Sequence, residues 1–213
     1  MTVKRERFRE GYTWAEWLEV LGADAQRWCE RYDATALGEL RADYQAVPTP
    51  RSVLCIVDRA GLDTTETVPR IVRACEQAGA GGGVDVRILP AERGGDVLGQ
   101  YVVEGARAVP LCVVFDDAWL QVGVWGPRPR AAQEFLDGLR ADLPPEELDY
   151  RLRDWYLDDE GRSTLREFLT TLRGQGVHPW RAGKRVSEGV WKQAETAKGR
   201  GRGRVGRRSD GTA

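Results

Sequence analysis

Residues 108–129 read AVPLCVVFDDAWLQVGVWGPRP, and this stretch decides the fold. Leu111–Phe115 is an unbroken apolar run rich in valine, the pattern of a strand covered on both faces. Trp119–Trp125 reads as a second strand, and Asp116-Asp117 supplies the turn, so the pair predicts a β-hairpin. Prolines stand at both ends, Pro110 before the first strand and Pro127 and Pro129 after the second.

Upstream, Ser52–Val57 (SVLCIV) is another short apolar run and predicts a buried strand. A loop over Asp58–Asp63 leads to Val68, Ile71, Val72 and Cys75, one face of a helix. Pro69 lies inside that face and should kink the helix or hold its first turns irregular. Gly79–Gly83 is a loop, Val84–Leu89 alternates as a strand, and Val97, Leu98 and Tyr101 predict a short helix. The Gly81–Gly83 run has neither dinucleotide spacing nor a Gly-Lys-Ser/Thr ending, so it is no phosphate cradle.

Two helices precede this core. Thr13-Trp14-Ala15-Glu16 matches a capping box, and Trp14, Trp17, Leu18 and Leu21 follow at helical spacing. Trp28, Cys29 and Tyr32 mark the second helix, and Pro48 and Pro50 end the arm. Downstream come helices carrying Phe135, Leu136 and Leu139, then Leu148, Leu152 and Trp155, then Leu165, Phe168, Leu169 and Leu172. The last opens with Thr164 and Glu167, a second capping-box spacing. The helical tryptophans Trp14, Trp17, Trp28 and Trp155 are expected to dock the extra helices onto the sheet. Strand–helix–strand followed by a hairpin and a helix predicts an α/β protein whose mixed sheet is covered by helices. The expected division is a helical extension over 1–50, a core over 51–141, a second helical extension over 142–180 and a basic tail over 181–213.

Composition sharpens the last boundary. The formal net charge is −1, yet residues 181–213 hold ten Lys/Arg against three Asp/Glu. The tail is therefore +7 and residues 1–180 are −8. Gly and Arg dominate after Trp180, which predicts a disordered segment. Arg200, Arg202, Arg204, Arg207 and Arg208 are candidates for sequence-tolerant, salt-sensitive contact with nucleic acid or another polyanion. A merely solubilising tail is the alternative.

No apolar run approaches the ~18 residues of a membrane span, and the charged N-terminal stretch does not resemble a signal peptide. Cytoplasm is the expected compartment. The single histidine, His178, makes Ser-His-Asp hydrolysis and multi-histidine metal chemistry poor fits. Cys29, Cys55, Cys75 and Cys112 have neither zinc-site nor disulfide-framework spacing. No cofactor and no metal is called for.

The β-α-β-α-β-β-α order, with a proline opening the hairpin, is similar to the thioredoxin fold: a three-layer arrangement with about four strands. Ala108-Val109-Pro110 resembles the thioredoxin loop in which the proline is cis and faces the active site. Trp125-Gly126-Pro127-Arg128-Pro129 resembles a bacterial thioredoxin-like subfamily with helical extensions. The stretches Gln100 to Pro110 and Asp154-Trp155-Tyr156 do so too, and the likeness covers about residues 10–175. The active-site motif departs from the pattern. Where that subfamily has Trp-Cys-Gly-Asp, this chain reads Ala60-Gly61-Leu62-Asp63, and Thr64 stands in the place of a second cysteine. A thioredoxin nucleophile works because a helix N-terminus lowers its pKa, and Gly61 has nothing to ionise.

The resemblance therefore implies a thioredoxin family protein with a degenerate site. It would bind an extended peptide or partner protein beside Val109-Pro110, in a groove lined by Gly61, Asp63, Thr64, Val109, Pro110, Trp125 and Arg128. Asp63 could equally serve only to cap its helix, and the prolines about Arg128 could serve only to set a turn. The enzymatic alternative is a divergent thiol–disulfide oxidoreductase in redox homeostasis. It would use Cys112, two residues beyond Pro110, or a partner's thiols. Cys55 and Cys75 read as core filler.

Overall fold

The computed structural model describes residues 3–79, 83–101 and 108–175. Four strands form one sheet: β1 (Arg51–Val57), β2 (Val84–Pro90), β3 (Leu111–Phe115) and β4 (Gln121–Trp125), in the order β2-β1-β3-β4. β1 and β2 are parallel, and β3 runs antiparallel to both β1 and β4. The helices among the described residues are α1 (Arg5–Arg9), α2 (Trp14–Leu21), α3 (Ala25–Asp33), α4 (Arg41–Gln45), α5 (Leu62–Glu76), α6 (Gly95–Leu98), α7 (Arg130–Leu139), α8 (Pro145–Asp159) and α9 (Arg162–Leu172). None is long and apolar enough to cross a membrane. His178 and the tail arginines Arg200, Arg202, Arg204, Arg207 and Arg208 lie outside the described residues.

The sheet is buried on both faces, and alternation along β1 shows why. Val53, Cys55 and Val57 point into a core shared with Trp17, Trp28, Ile71, Cys75 and Phe168, whereas Leu54 and Ile56 meet Phe8, Leu89, Val97, Val113 and Phe115. Successive side chains of a strand point to opposite faces, so one apolar run serves two helix layers. A third cluster joins α7 and α8 through Ala132, Leu136, Leu152 and Tyr156.

The N-terminal arm is tied in at several points. Thr13 and Glu16 close the expected capping box on α2. Tyr12 and Ile88 exchange both backbone hydrogen bonds, adding a bridge at the β2 edge. Trp17 and Trp28 are fully buried, 5.5 Å apart edge to face. The Tyr44 hydroxyl donates to the Leu165 carbonyl at 2.8 Å, linking α4 to α9.

Four expectations change. The helix α5 is a single run with Pro69 inside it, not a helix with irregular first turns. Trp119 is outside β4: its φ is +62°, and the Asp116 carboxylate accepts the Leu120 N–H, so the hairpin turn consumes more of the sequence than Asp116-Asp117. Thr164 does not cap α9. That helix starts earlier, at Arg162 after Gly161, leaving Thr164 buried in the first turn and Glu167 free to accept from the Arg130 amide at 2.8 Å. The helices α1 and α4, too short for a periodic signal, were not expected.

Candidate functional site

β1 ends at Val57, and Asp58 to Gly61 carry the chain into α5, with Gly61 as N-cap. The space a side chain would take at Gly61 is filled. A Cβ built there would stand 2.6 Å from Asp58 Oδ1 and 2.7 Å from Asp58 Cγ. The Thr64 hydroxyl donates to the same Asp58 carboxylate, which holds it over the first turn of the helix. The carboxylate thus stands where the resemblance would put a thiolate.

Asp63, in the first turn of α5, is not a cap; no side chain caps this helix. Its two oxygens are held from two other elements. Tyr156 of α8 donates its hydroxyl to Oδ1 at 2.6 Å, and Arg128, in the turn after β4, donates from Nη2 to Oδ2 at 2.5 Å. The Asp63 and Arg128 side chains are only 12% and 20% exposed. Burial raises the Asp63 pKa above its ordinary value, overcoming the downward pull of Arg128 and of the Tyr156 hydroxyl. The ion pair alone argues for a lowered value, but desolvation of an almost enclosed carboxylate is the larger effect. Burial, reinforced by Asp63, also pushes the Tyr156 hydroxyl well up.

The Val109–Pro110 loop lies against Gly126, in the post-β4 turn that also carries Arg128. The bond between them is cis, and a Cβ at Gly126 would run into the Pro110 carbonyl, 3.1 Å from its carbon. Only a glycine, here at φ +119°, lets the post-β4 turn pass so close. Among the described residues no backbone hydrogen bond engages Val109.

The sequence-derived groove residues therefore divide. Gly61, Asp63, Val109 and Arg128 are partly exposed. Thr64 is fully buried and Pro110 is buried, so neither offers open surface. Trp125 is 2% exposed; the register of β4 turns its ring onto Phe168, 6.3 Å away, and it is core. Arg128 is engaged by Asp63 and does not project freely into solvent.

The alternative thiol fares no better. Cys112 pairs with Cys55 across β1 and β3, their sulfurs 3.2 Å apart, both without exposure. Burial drives the Cys112 and Cys75 thiols well above the ordinary range, opposite to what a nucleophile needs. Only Cys29, half-buried on α3, meets solvent. No cluster of potential metal ligands occurs among the described residues.

Sequence reasoning missed Asp58 and Tyr156 as site residues. Tyr156 had a signal in Asp154-Trp155-Tyr156, a string tied to the same resemblance as Asp63 and Arg128. Asp58 had none beyond its place just after an apolar strand.

A family model described as thioredoxin matches residues 11–142. Among solved structures, a protein of unknown function from Pseudomonas aeruginosa is 18% identical, with a TM-score of 0.61, over 83% of this chain and 100% of that one. An HIV epitope-scaffold is 16% identical, with a TM-score of 0.59, over 79% of this chain and 96% of that one. At such identities the likeness is one of fold. No curated protein matches the chain.

Proposed function

The chain belongs to the thioredoxin family, and from that membership we propose that it is a non-catalytic member of the Trp-Cys-x-Asp/Trp-Gly-Pro-Arg-Pro type that binds an extended peptide or partner protein beside Val109-Pro110. The observation that carries the reading is Asp58. Its carboxylate fills the space a side chain at Gly61 would need, so the place of the nucleophile is occupied by a group that cannot exchange disulfides. The buried positions of Cys55, Cys75 and Cys112 support the same view. What such a site retains is an edge: a partner backbone can pair with Val109 through main-chain hydrogen bonds, which need no thiol.

The test is selection of peptides from a displayed random library on the immobilised chain, run beside a disulfide-exchange assay. Selected peptides should bind equally in the presence and absence of reductant and lose affinity for Val109→Arg. Catalysed reduction of a small disulfide by the chain would overturn the non-catalytic reading, and selected peptides indifferent to Val109→Arg would overturn the groove.

A second reading rests on the sequence of the tail. We propose sequence-tolerant polyanion binding through Arg200, Arg202, Arg204, Arg207 and Arg208. Truncation after Trp180 should abolish retention on RNA at low salt; unchanged retention removes this activity.

A further inference from the structure

Three of the four cysteines come together in one part of the core. Cys55 of β1, Cys112 of β3 and Cys75 of α5 belong to the same apolar cluster, and none has exposed surface. Two of them are matched by strand register. Cys55 and Cys112 are directly opposed in the antiparallel β1–β3 ladder and leave the sheet on the same face, so their sulfurs meet at 3.2 Å. Opposed residues of such a ladder have Cα atoms about 4.5–5.5 Å apart, inside the range of about 4.4–6.8 Å that a disulfide spans. A bond between these sulfurs therefore needs little movement of the backbone. Cys75 comes from a helix and has no opposed partner of this kind.

We propose that Cys55 and Cys112 are the site of an oxidative cross-link, a buried disulfide that staples β1 to β3. The oxidant is a small disulfide of the glutathione class. One cysteine thiolate attacks a sulfur of oxidised glutathione, breaking its S–S bond and releasing one glutathione thiolate, which takes up a proton. The second cysteine then attacks the mixed disulfide, forming the Cys55–Cys112 bond and releasing the other glutathione. Both cysteine thiols are oxidised, and one glutathione disulfide is reduced to its two thiols. Burial pushes the Cys112 thiol well up, so the exchange runs while the core is open, and the closed sheet then holds the product. The bond joins positions 57 residues apart; it restricts the unfolded chain and so stabilises the folded one. The burial that slows its formation also shields it from reducing thiols. The pair stores a cross-link and turns over no substrate.

The experiment unfolds the reduced full chain in urea and dilutes it into oxidised glutathione, while a second sample meets the same glutathione still in urea. Free thiols are then alkylated in denaturant, and tryptic peptides are weighed without reduction. Trypsin leaves each cysteine in its own peptide, with Cys55 in residues 52–59 and Cys112 in residues 108–130. These two should appear joined, with Cys29 and Cys75 outside the linkage. The joined peptide should be at least about tenfold more abundant from the refolded sample, because the sheet brings the sulfurs together. Cross-linking should also raise the urea midpoint of the refolded chain. Cys112→Ala should remove the joined peptide and that gain, and Cys75→Ala should keep both. Free Cys55 and Cys112 after refolding, a linkage through Cys75 or Cys29, or equal yields with and without urea overturns the proposal. Failure of the peptide groove leaves these outcomes untouched.

Discussion

The Tyr156 hydroxyl sits 2.6 Å from Asp63 Oδ1 and joins two segments 93 residues apart in the chain. With Arg128 on the other oxygen, a single carboxylate fastens α8 and the post-β4 turn to the first turn of α5. This gives Asp63 a structural role at the start of α5 that needs no thiol beside it. Tyr156→Phe leaves a buried acceptor without its donor and should cost about 1–3 kcal/mol. Asp63→Ala should cost more, about 3–5 kcal/mol, because it strands the largely buried Arg128 guanidinium. Urea denaturation of both variants measures the difference; equal, small losses would show that the cluster is not a structural clasp.

The same carboxylate gives a signed pH dependence. Its pKa is raised in the folded chain, so folding favours the protonated form. The stability this group contributes is present in full below the ordinary carboxyl value and is lost as pH rises through the raised folded value. Arg128→Met removes a force that lowers the pKa and should move the Asp63 titration to still higher pH. Carbon-detected NMR of the Asp63 carboxyl follows both titrations. A midpoint below those of exposed aspartates would mean that the ion pair, not burial, dominates.

Asp58 makes a prediction about a thiol placed at position 61. A cysteine at position 61 would meet the Asp58 carboxylate, and a neighbouring negative charge disfavours thiolate. Gly61→Cys alone should give a thiol with pKa above the ordinary ~8.5. The double variant Gly61→Cys with Asp58→Ala removes that charge and leaves the thiol at the α5 N-terminus, which should bring its pKa below ~8.5. Thiolate absorbance against pH separates the two. A low pKa in the single variant would mean that Asp58 moves aside at no cost.

The hairpin, the strand–helix–strand core and the helical arms were legible because their signals are local and periodic. The doubled apolar face of β1 is visible in Ser52–Val57, and the Thr13–Glu16 box closes as its spacing implies. The site was legible only where motif residues carried it. Asp63, Arg128 and Tyr156 each stand in a recognisable string, but their convergence depends on contacts 65 and 93 residues apart. Local signals also misled where tertiary structure overrode them. The Trp125–Pro129 string put Trp125 in the lining of the groove, yet strand register turned its ring onto Phe168. Thr164 had the spacing of a cap, but Gly161 at φ +82° lets α9 begin before it.

A buried charge network should prove the main fastening of α3 to the core. Glu66 is 4% exposed and accepts from Arg31 Nε of α3 at 2.7 Å. Arg70, 6% exposed, donates to the Glu66 carbonyl and to the Glu160 carbonyl between α8 and α9. Glu66→Ala leaves the Arg31 guanidinium without its carboxylate, while the backbone carbonyls that hold Arg70 remain, and should cost about 1–3 kcal/mol. Glu66→Gln keeps the volume and one acceptor and should cost less. Thermal or urea unfolding of the pair decides it; a neutral Glu66→Ala would mean that water replaces the carboxylate at Arg31.

Thiol chemistry offers the most direct check on the whole site. Cys55, Cys75 and Cys112 have no exposed surface, whereas Cys29 is half-buried on α3. An aromatic disulfide reagent added to the native chain should therefore modify Cys29 promptly and the other three only as fast as the core opens. Cys29→Ser should abolish the prompt phase without loss of stability, since that side chain is outside the core clusters. Rapid native-state labelling of Cys112 would reopen the oxidoreductase reading. Labelling that accelerates only with denaturant would tie its reactivity to unfolding, as burial against Cys55 requires.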